Sequence, residues 1–257
     1  MNTVFIFFIG LCVGSFLNVV ILRTKEGISI VHGRSHCPFC HATLGILDLI
    51  PFFSYLYLRG KCRSCHARIH PQYPLVELAT GIGFVLIHLR YVFGFSLPET
   101  FSANLFFWFY LRDVFLFCVL LVIAVYDLRY SYILDRFTLP ALVVLIPLQL
   151  FLGMPWQTLA AGALVLGSFF GAQYLFSHGT WVGGGDIRLG VLMGVTLGLF
   201  QGLFALFLAY VIGALVSVLL LVTKKATRKT QIPFGPFLSG ATILILCAGT
   251  WIIETSL

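Results

Sequence analysis

Four cysteines stand in two pairs, Cys37-Pro38-Phe39-Cys40 and Cys62-Arg63-Ser64-Cys65, with 21 residues between the pairs. Two residues between cysteines let both thiolates of a knuckle reach one tetrahedral ion, and two knuckles close a four-sulfur shell that suits zinc. The separation lies just beyond the roughly 15–20 residues usual for such ribbons. A redox pair or unliganded thiols are the alternatives. Four thiolates leave no open position for water, so the Zn2+ is expected to be structural and to hold a loop with little core of its own. His36, His41 and His66 flank the knuckles and read as solvated or outer-layer groups rather than ligands. Cys12, Cys118 and Cys247 lie in apolar runs and read as small buried hydrophobes.

The second set of candidates is acidic. The chain has only nine Asp and Glu residues, and Asp127 and Asp186 are two that adjoin long apolar runs. Asp127 follows Val114–Tyr126, and Asp186 ends Gly183-Gly184-Gly185-Asp186 and opens the next run. Charge at membrane depth is costly and points to function. Two carboxyls meeting at one rim can share a proton: the charged one activates water, and the protonated one polarises a scissile carbonyl. The plainer readings are that Asp186 caps a helix and that Asp127 pairs with Arg129. Asp135 reads as a cap for the helix after it. Glu77, one turn into its run, is expected to pair with a basic loop residue.

The elements that must position these groups are helices in a bilayer. Of 257 residues, 60% are hydrophobic and 10% charged, and the mean hydropathy is +1.01. A water-soluble domain needs more charge than that on its surface. The net charge of +7 is dispersed between apolar runs, which argues against nucleic acid as a partner. The runs are 4–22, 75–93, 114–132, 137–153, 156–176, 187–201, 202–222 and 236–254. About eight transmembrane helices follow, in an all-α integral membrane protein. The first run is long enough to span and is not preceded by charge, so it reads as an anchor rather than a cleavable leader. Leu189–Val222 carries no charge and would be about 50 Å as one helix, so a split is expected near Gln201-Gly202. The Phe-rich stretch 101–111, ending at Arg112-Asp113, reads as interfacial. With eight spans, loops 23–74, 127–136, 177–188 and 223–235 share one side and hold 14 of the 16 Lys and Arg residues. The positive-inside bias then puts those loops in the cytoplasm and both termini outside. The expected organisation is a first helix over 1–22, a cytoplasmic zinc loop over 23–74 and a helical core over 75–257.

Further motifs accompany these. Gly14-Ser15-Phe16-Leu17-Asn18-Val19-Val20 is followed by Arg23, Asp48-Leu49-Ile50-Pro51 lies between the knuckles, and Tyr73-Pro74-Leu75-Val76-Glu77 comes after them. Asp127 with Asp135 eight residues on, Gly183–Asp186 and Ile232-Pro233-Phe234-Gly235-Pro236 complete the order. This set resembles the type IV prepilin peptidases, or leader peptidases, of pilus, type II secretion and competence systems. The resemblance implies a polytopic aspartyl protease of the bacterial inner membrane, with Asp127 and Asp186 as its catalytic pair facing the cytoplasm. It implies prepilin or pseudopilin substrates, cut after a glycine that follows a short basic leader. It also implies S-adenosylmethionine-dependent N-methylation of the new terminus, which no glycine-rich cofactor fingerprint here supports. The pattern is departed from at Leu134, where the family usually has Pro, at Arg188, where it often has Lys, and at His41 and His66, which replace a common Gly. A proton-coupled transporter and a non-catalytic secretion scaffold are the competing readings. A transporter would more often carry acids near mid-membrane and repeated halves, and neither is seen.

Overall fold

The computed structural model describes residues 2–94, 97, 100–227 and 230–256, with side chains described through 247. Arg228 and Lys229 of the last basic loop lie outside the described residues. The elements are helical: α1 (Thr3–Glu26), α2 (Phe53–Tyr57), α3 (Gln72–Val92), α4 (Phe106–Tyr130), α5 (Asp135–Phe151), α6 (Trp156–Ser177), α7 (Gly184–Val222) and α8 (Gly235–Ser256). The chain forms two compact units, Met1–Leu89 and Arg90–Leu257. Among the described residues, five helices are long and apolar enough to cross a membrane: α1, α3, α4 with the preceding 3-10 turn, α6 and α7. α5 is shorter, with 17 residues and two internal prolines, and the apolar stretch of α8 covers Gly235–Cys247.

In the first unit, α1 and α3 touch through small residues. A Cβ on Gly10 would lie 2.7 Å from Gly81 Cα, and one on Gly14 would lie 2.7 Å from Glu77 Cα. Close backbone approach of this kind replaces the missing hydrophobic drive between helices in lipid. One turn further along α1, Asn18 donates to the carbonyls of Tyr73 and Gly14, and Gln72 donates to Asn18 Oδ1. Arg23 then gathers the chain leaving α1 by donating to the carbonyls of Ser29, His32 and Gly33.

In the second unit, α7 packs on α6, α8 and α5, and α4 packs on α8 and α5. The shared core includes Leu120, Ile123, Leu145, Leu166, Phe170, Met193 and Leu238. α7 is too long for one crossing and is broken at Gly198, with φ 74° and ψ −171°, a conformation reserved for glycine. The break falls three residues before the expected split. Gly190 and Gly194 pack closely, on Phe170 and on the Gly162 backbone of α6. Gly198 also meets α6, since a Cβ on Gly162 would lie 2.9 Å from its carbonyl carbon, and it ends the regular helix.

The stretch read as interfacial belongs largely to α4. Phe109 is fully buried, and the helix runs on through Arg112 and Asp113. Those charges do not end the helix because they are neutralised within the protein. Asp113 accepts hydrogen bonds from Arg90, Arg112 and the Tyr91 hydroxyl at 2.6–2.8 Å. Arg112 also donates to Gln149 Oε1 at 3.0 Å, which turns the Gln149 amide nitrogen toward the carbonyls of Val195 and Thr196, at 3.1 and 2.9 Å. In an unbroken helix those carbonyls would pair with Leu199 and Phe200, beyond Gly198. A buried polar chain thus supports the break in α7.

Candidate active site and metal centre

Asp127 lies in the last turn of α4, which closes at Ser131 in the left-handed conformation. The carboxylate is 5% exposed. Its Oδ2 accepts the Gly235 backbone N–H at 2.8 Å, from the first residue of α8. The approach requires glycine, because a Cβ there would lie 2.6 Å from Oδ2. Helix N-terminal N–H groups have no partner within their own helix and favour negative charge, so α8 offers the Asp127 carboxylate a natural donor.

Asp186 is the third residue of α7 and is half-buried. Its Oδ2 accepts the Gly183 N–H at 2.9 Å. The plainer reading of Asp186 is therefore realised in part: the carboxylate closes the start of its own helix with one oxygen. The Gly-rich turn is held against the chain leaving α4, since a Cβ on Gly185 would lie 2.6 Å from Ile133 Cβ. Arg188 pairs with Asp135, binding the start of α7 to the first turn of α5. Asp135 thus sits in the first helical turn, with Leu134 as the cap residue. Leu134 is extended at φ −85° and ψ 131°, close to what proline would impose, so the loss of the family's proline leaves the turn intact.

One end of the second unit therefore gathers the C-terminus of α4 and the N-termini of α5, α7 and α8. Asp127 and Asp186 approach it from different helices and lie within electrostatic reach of each other. Each commits one oxygen to a backbone N–H. Among the described residues, the second oxygen of each accepts no hydrogen bond from protein, which leaves it for water or a peptide group.

The cysteines belong to the first unit. The sulfurs of Cys37, Cys40, Cys62 and Cys65 all lie within 4.8 Å of one another, and Cys37 and Cys65 are 3.8 Å apart. Sulfurs about 2.3 Å from a tetrahedral zinc would be about 3.8 Å apart, so the four residues fit such an ion. The N–H groups of Cys65 and Ser64 point at the Cys62 sulfur and pull its thiol down to about 7, toward the thiolate a metal requires. The residue after each knuckle, His41 and His66, has φ 56° and 59°. This left-handed turn suits glycine, and here histidine adopts it in both knuckles. Asp48 reaches the second knuckle, accepting from Arg63 at 2.7 Å, and the guanidinium holds its carboxyl below the usual range.

Glu77 departs from expectation. It is buried on α3 and accepts the Phe52 backbone N–H at 2.7 Å instead of meeting a basic side chain. Sequence reasoning also did not single out Gln149, Asp113 or the Gly235 N–H. Gly235 was marked only as part of a motif, and a backbone donor has no residue-type signature.

Comparison with known proteins identifies the family. Residues 8–91 match the Bacterial Peptidase A24 N-terminal domain, and residues 114–218 match the Type IV leader peptidase family. The chain is 34% identical over 250 residues to a prepilin leader peptidase/N-methyltransferase of Bacillus subtilis, covering 97% of this chain and 95% of the relative. It is 31% identical over 273 residues to a protein of the same description from Aeromonas hydrophila, covering 95% and 90%. No solved structure matches. The chain belongs to the type IV leader peptidase family and is an all-helical membrane protein.

Proposed function

We propose that this protein cleaves the basic leader from type IV prepilins or pseudopilins, after a glycine, using Asp127 and Asp186. The observation that carries the reading is the convergence of the two carboxylates from different helices, each with one oxygen uncommitted. One ionised carboxylate takes a proton from water as it attacks the scissile carbonyl. The other, protonated, donates to the carbonyl oxygen, and the proton then passes to the leaving amine. A site at helix ends suits this chemistry, because hydrolysis needs water and the lipid core holds none. A glycine before the cut helps the substrate unwind there. The basic loops are assigned to the cytoplasm and the termini to the outside of the bacterial inner membrane, on the charge bias of the sequence.

The four cysteines are assigned to a structural zinc ion. Bound there, it would hold the loop over 23–74, with no open position for chemistry. The relatives' descriptions also name an N-methyltransferase, and we extend methylation of the new amine to this chain on that ground. Two cavities, of about 300 and 290 Å³, open beside Tyr57–His66 and beside Ser217–Ile232. Neither is lined by a carboxylate that would hold the ribose hydroxyls or the sulfonium of S-adenosylmethionine, so no residue here is assigned to the methyl donor.

Asp127→Asn and Asp186→Asn, made separately, test the pair. Each is expected to abolish leader removal from a co-expressed prepilin, read by mass, while the protein still inserts. Normal cleavage by either variant would rule out the two-aspartate mechanism, and no cleavage by wild type would favour the scaffold or transporter.

A further inference from the structure

The stretch Ile46–Leu58, between the knuckles, is mostly apolar and carries no charge apart from Asp48. A run of about 10–14 residues is too short to cross a bilayer and suits a segment that dips into it. Its position in the first unit can be read from its partners. The Phe52 N–H reaches Glu77, on the second turn of α3, where α3 meets Gly14 of α1. The Phe53 ring stacks on Phe8 of α1, with centroids 6.1 Å apart and planes at 25°. Counting back along α1 from Arg23, its basic residue nearest the lipid, Gly14 and Phe8 lie about 13 and 22 Å deeper at 1.5 Å per residue. The lipid core is about 30 Å thick. The turn at Phe52-Phe53 therefore sits alongside the middle of a helix that crosses the membrane.

The backbone of this stretch is prepared for such a place. Pro51 has no N–H to satisfy. The N–H groups of Phe53, Ser54, Leu56 and Leu58 bond to carbonyls within the segment, that of Asp48 goes to Gly45 at its edge, and that of Phe52 goes to Glu77. Irregular backbone survives at membrane depth only when its polar groups are satisfied in this way. Phe52 holds φ 62°, strained for a residue with a side chain, and the Glu77 contact fixes it there. The outer face is apolar: Ile46 is 86% exposed and Tyr57 79%, with Leu47 and Leu56 beside them. Charge returns only at Arg59 and Lys61.

We propose that Ile46–Leu58 is a re-entrant membrane segment, pinned to α1 and α3 by Glu77, with its outer face bathed in lipid acyl chains. The region between the two knuckles is then not a wholly aqueous loop, and the metal centre sits at the mouth of a membrane-inserted turn. The inference rests on membrane insertion alone and is independent of the two aspartates.

The test uses the full chain in phosphatidylethanolamine/phosphatidylglycerol vesicles, with p-benzoylphenylalanine placed singly at Leu47, Tyr57 or Val31. Val31 is exposed in the same loop but lies outside the segment. Irradiation is expected to add the mass of one phospholipid at 47 and 57 and not at 31. No lipid adduct at 47 and 57, equal adducts at all three positions, or adducts to a second copy of the chain would overturn the proposal. The pin is tested by the rate of tryptic cleavage after Arg59. Glu77→Ala leaves a buried N–H without a partner and is expected to raise that rate about tenfold. Glu77→Gln, whose amide oxygen still accepts, should stay within about twofold of wild type on the same reasoning. Equal rates in the two variants would refute the pin.

Discussion

Replacing Gly235 with alanine places a methyl group 2.6 Å from Asp127 Oδ2 and 3.1 Å from both Asp127 Cβ and Cγ. Rotation about the side chain cannot relieve contacts to all three atoms. To regain ordinary contact at 3.4 Å, the carboxylate or the start of α8 must withdraw by about 0.8 Å. That movement also stretches the 2.8 Å hydrogen bond from the Gly235 N–H, so Asp127 loses its position and its backbone donor together. A displacement near 1 Å in a reacting group costs on the order of 10²-fold in rate. Gly235→Ala is therefore expected to lower kcat for leader removal by about that factor. The assay is single-turnover cleavage of a purified prepilin in proteoliposomes, with zinc content and resistance to proteolysis as checks on folding. Cleavage within about twofold of wild type by a folded Gly235→Ala protein would refute the reasoning, since a 0.8 Å error at a reacting carboxylate cannot be that cheap.

Two further outcomes follow from the polar chain and the knuckles. Gln149→Leu strips the Val195 and Thr196 carbonyls and the Arg112 Nη1 of their shared partner and should destabilise the second unit by about 1–3 kcal/mol in a reversible detergent unfolding assay. Gln149→Glu keeps the Arg112 contact and loses both donated bonds, so it should also be destabilised; a Leu variant as stable as wild type would mean that the chain does not support the break at Gly198. Purified wild-type protein should carry about one zinc per chain by elemental analysis, and Cys37→Ser should lose most of it. Less than about half an equivalent in wild type, with no loss on substitution, would dismiss the four-cysteine centre.

The apolar runs, the knuckle spacing and the candidate aspartates could be read from the sequence because each is a local property. Hydropathy marks a helix within about 20 residues, and a knuckle closes over four. The conflict between a 34-residue uncharged run and the bilayer thickness even forecast the break in α7 to within three residues. Tertiary structure alone decided what each buried charge meets. Arg112 and Asp113 looked like the end of an aromatic stretch, yet they are internal because Arg90, Tyr91 and Gln149 satisfy them from other helices. Glu77 looked ready for a cation and instead holds a backbone N–H 25 residues away. Asp127 receives its donor from 108 residues along the chain. A main-chain N–H is the same at every non-proline residue, so a sequence can show that a carboxylate needs a partner, but only the packed fold decides which backbone supplies it.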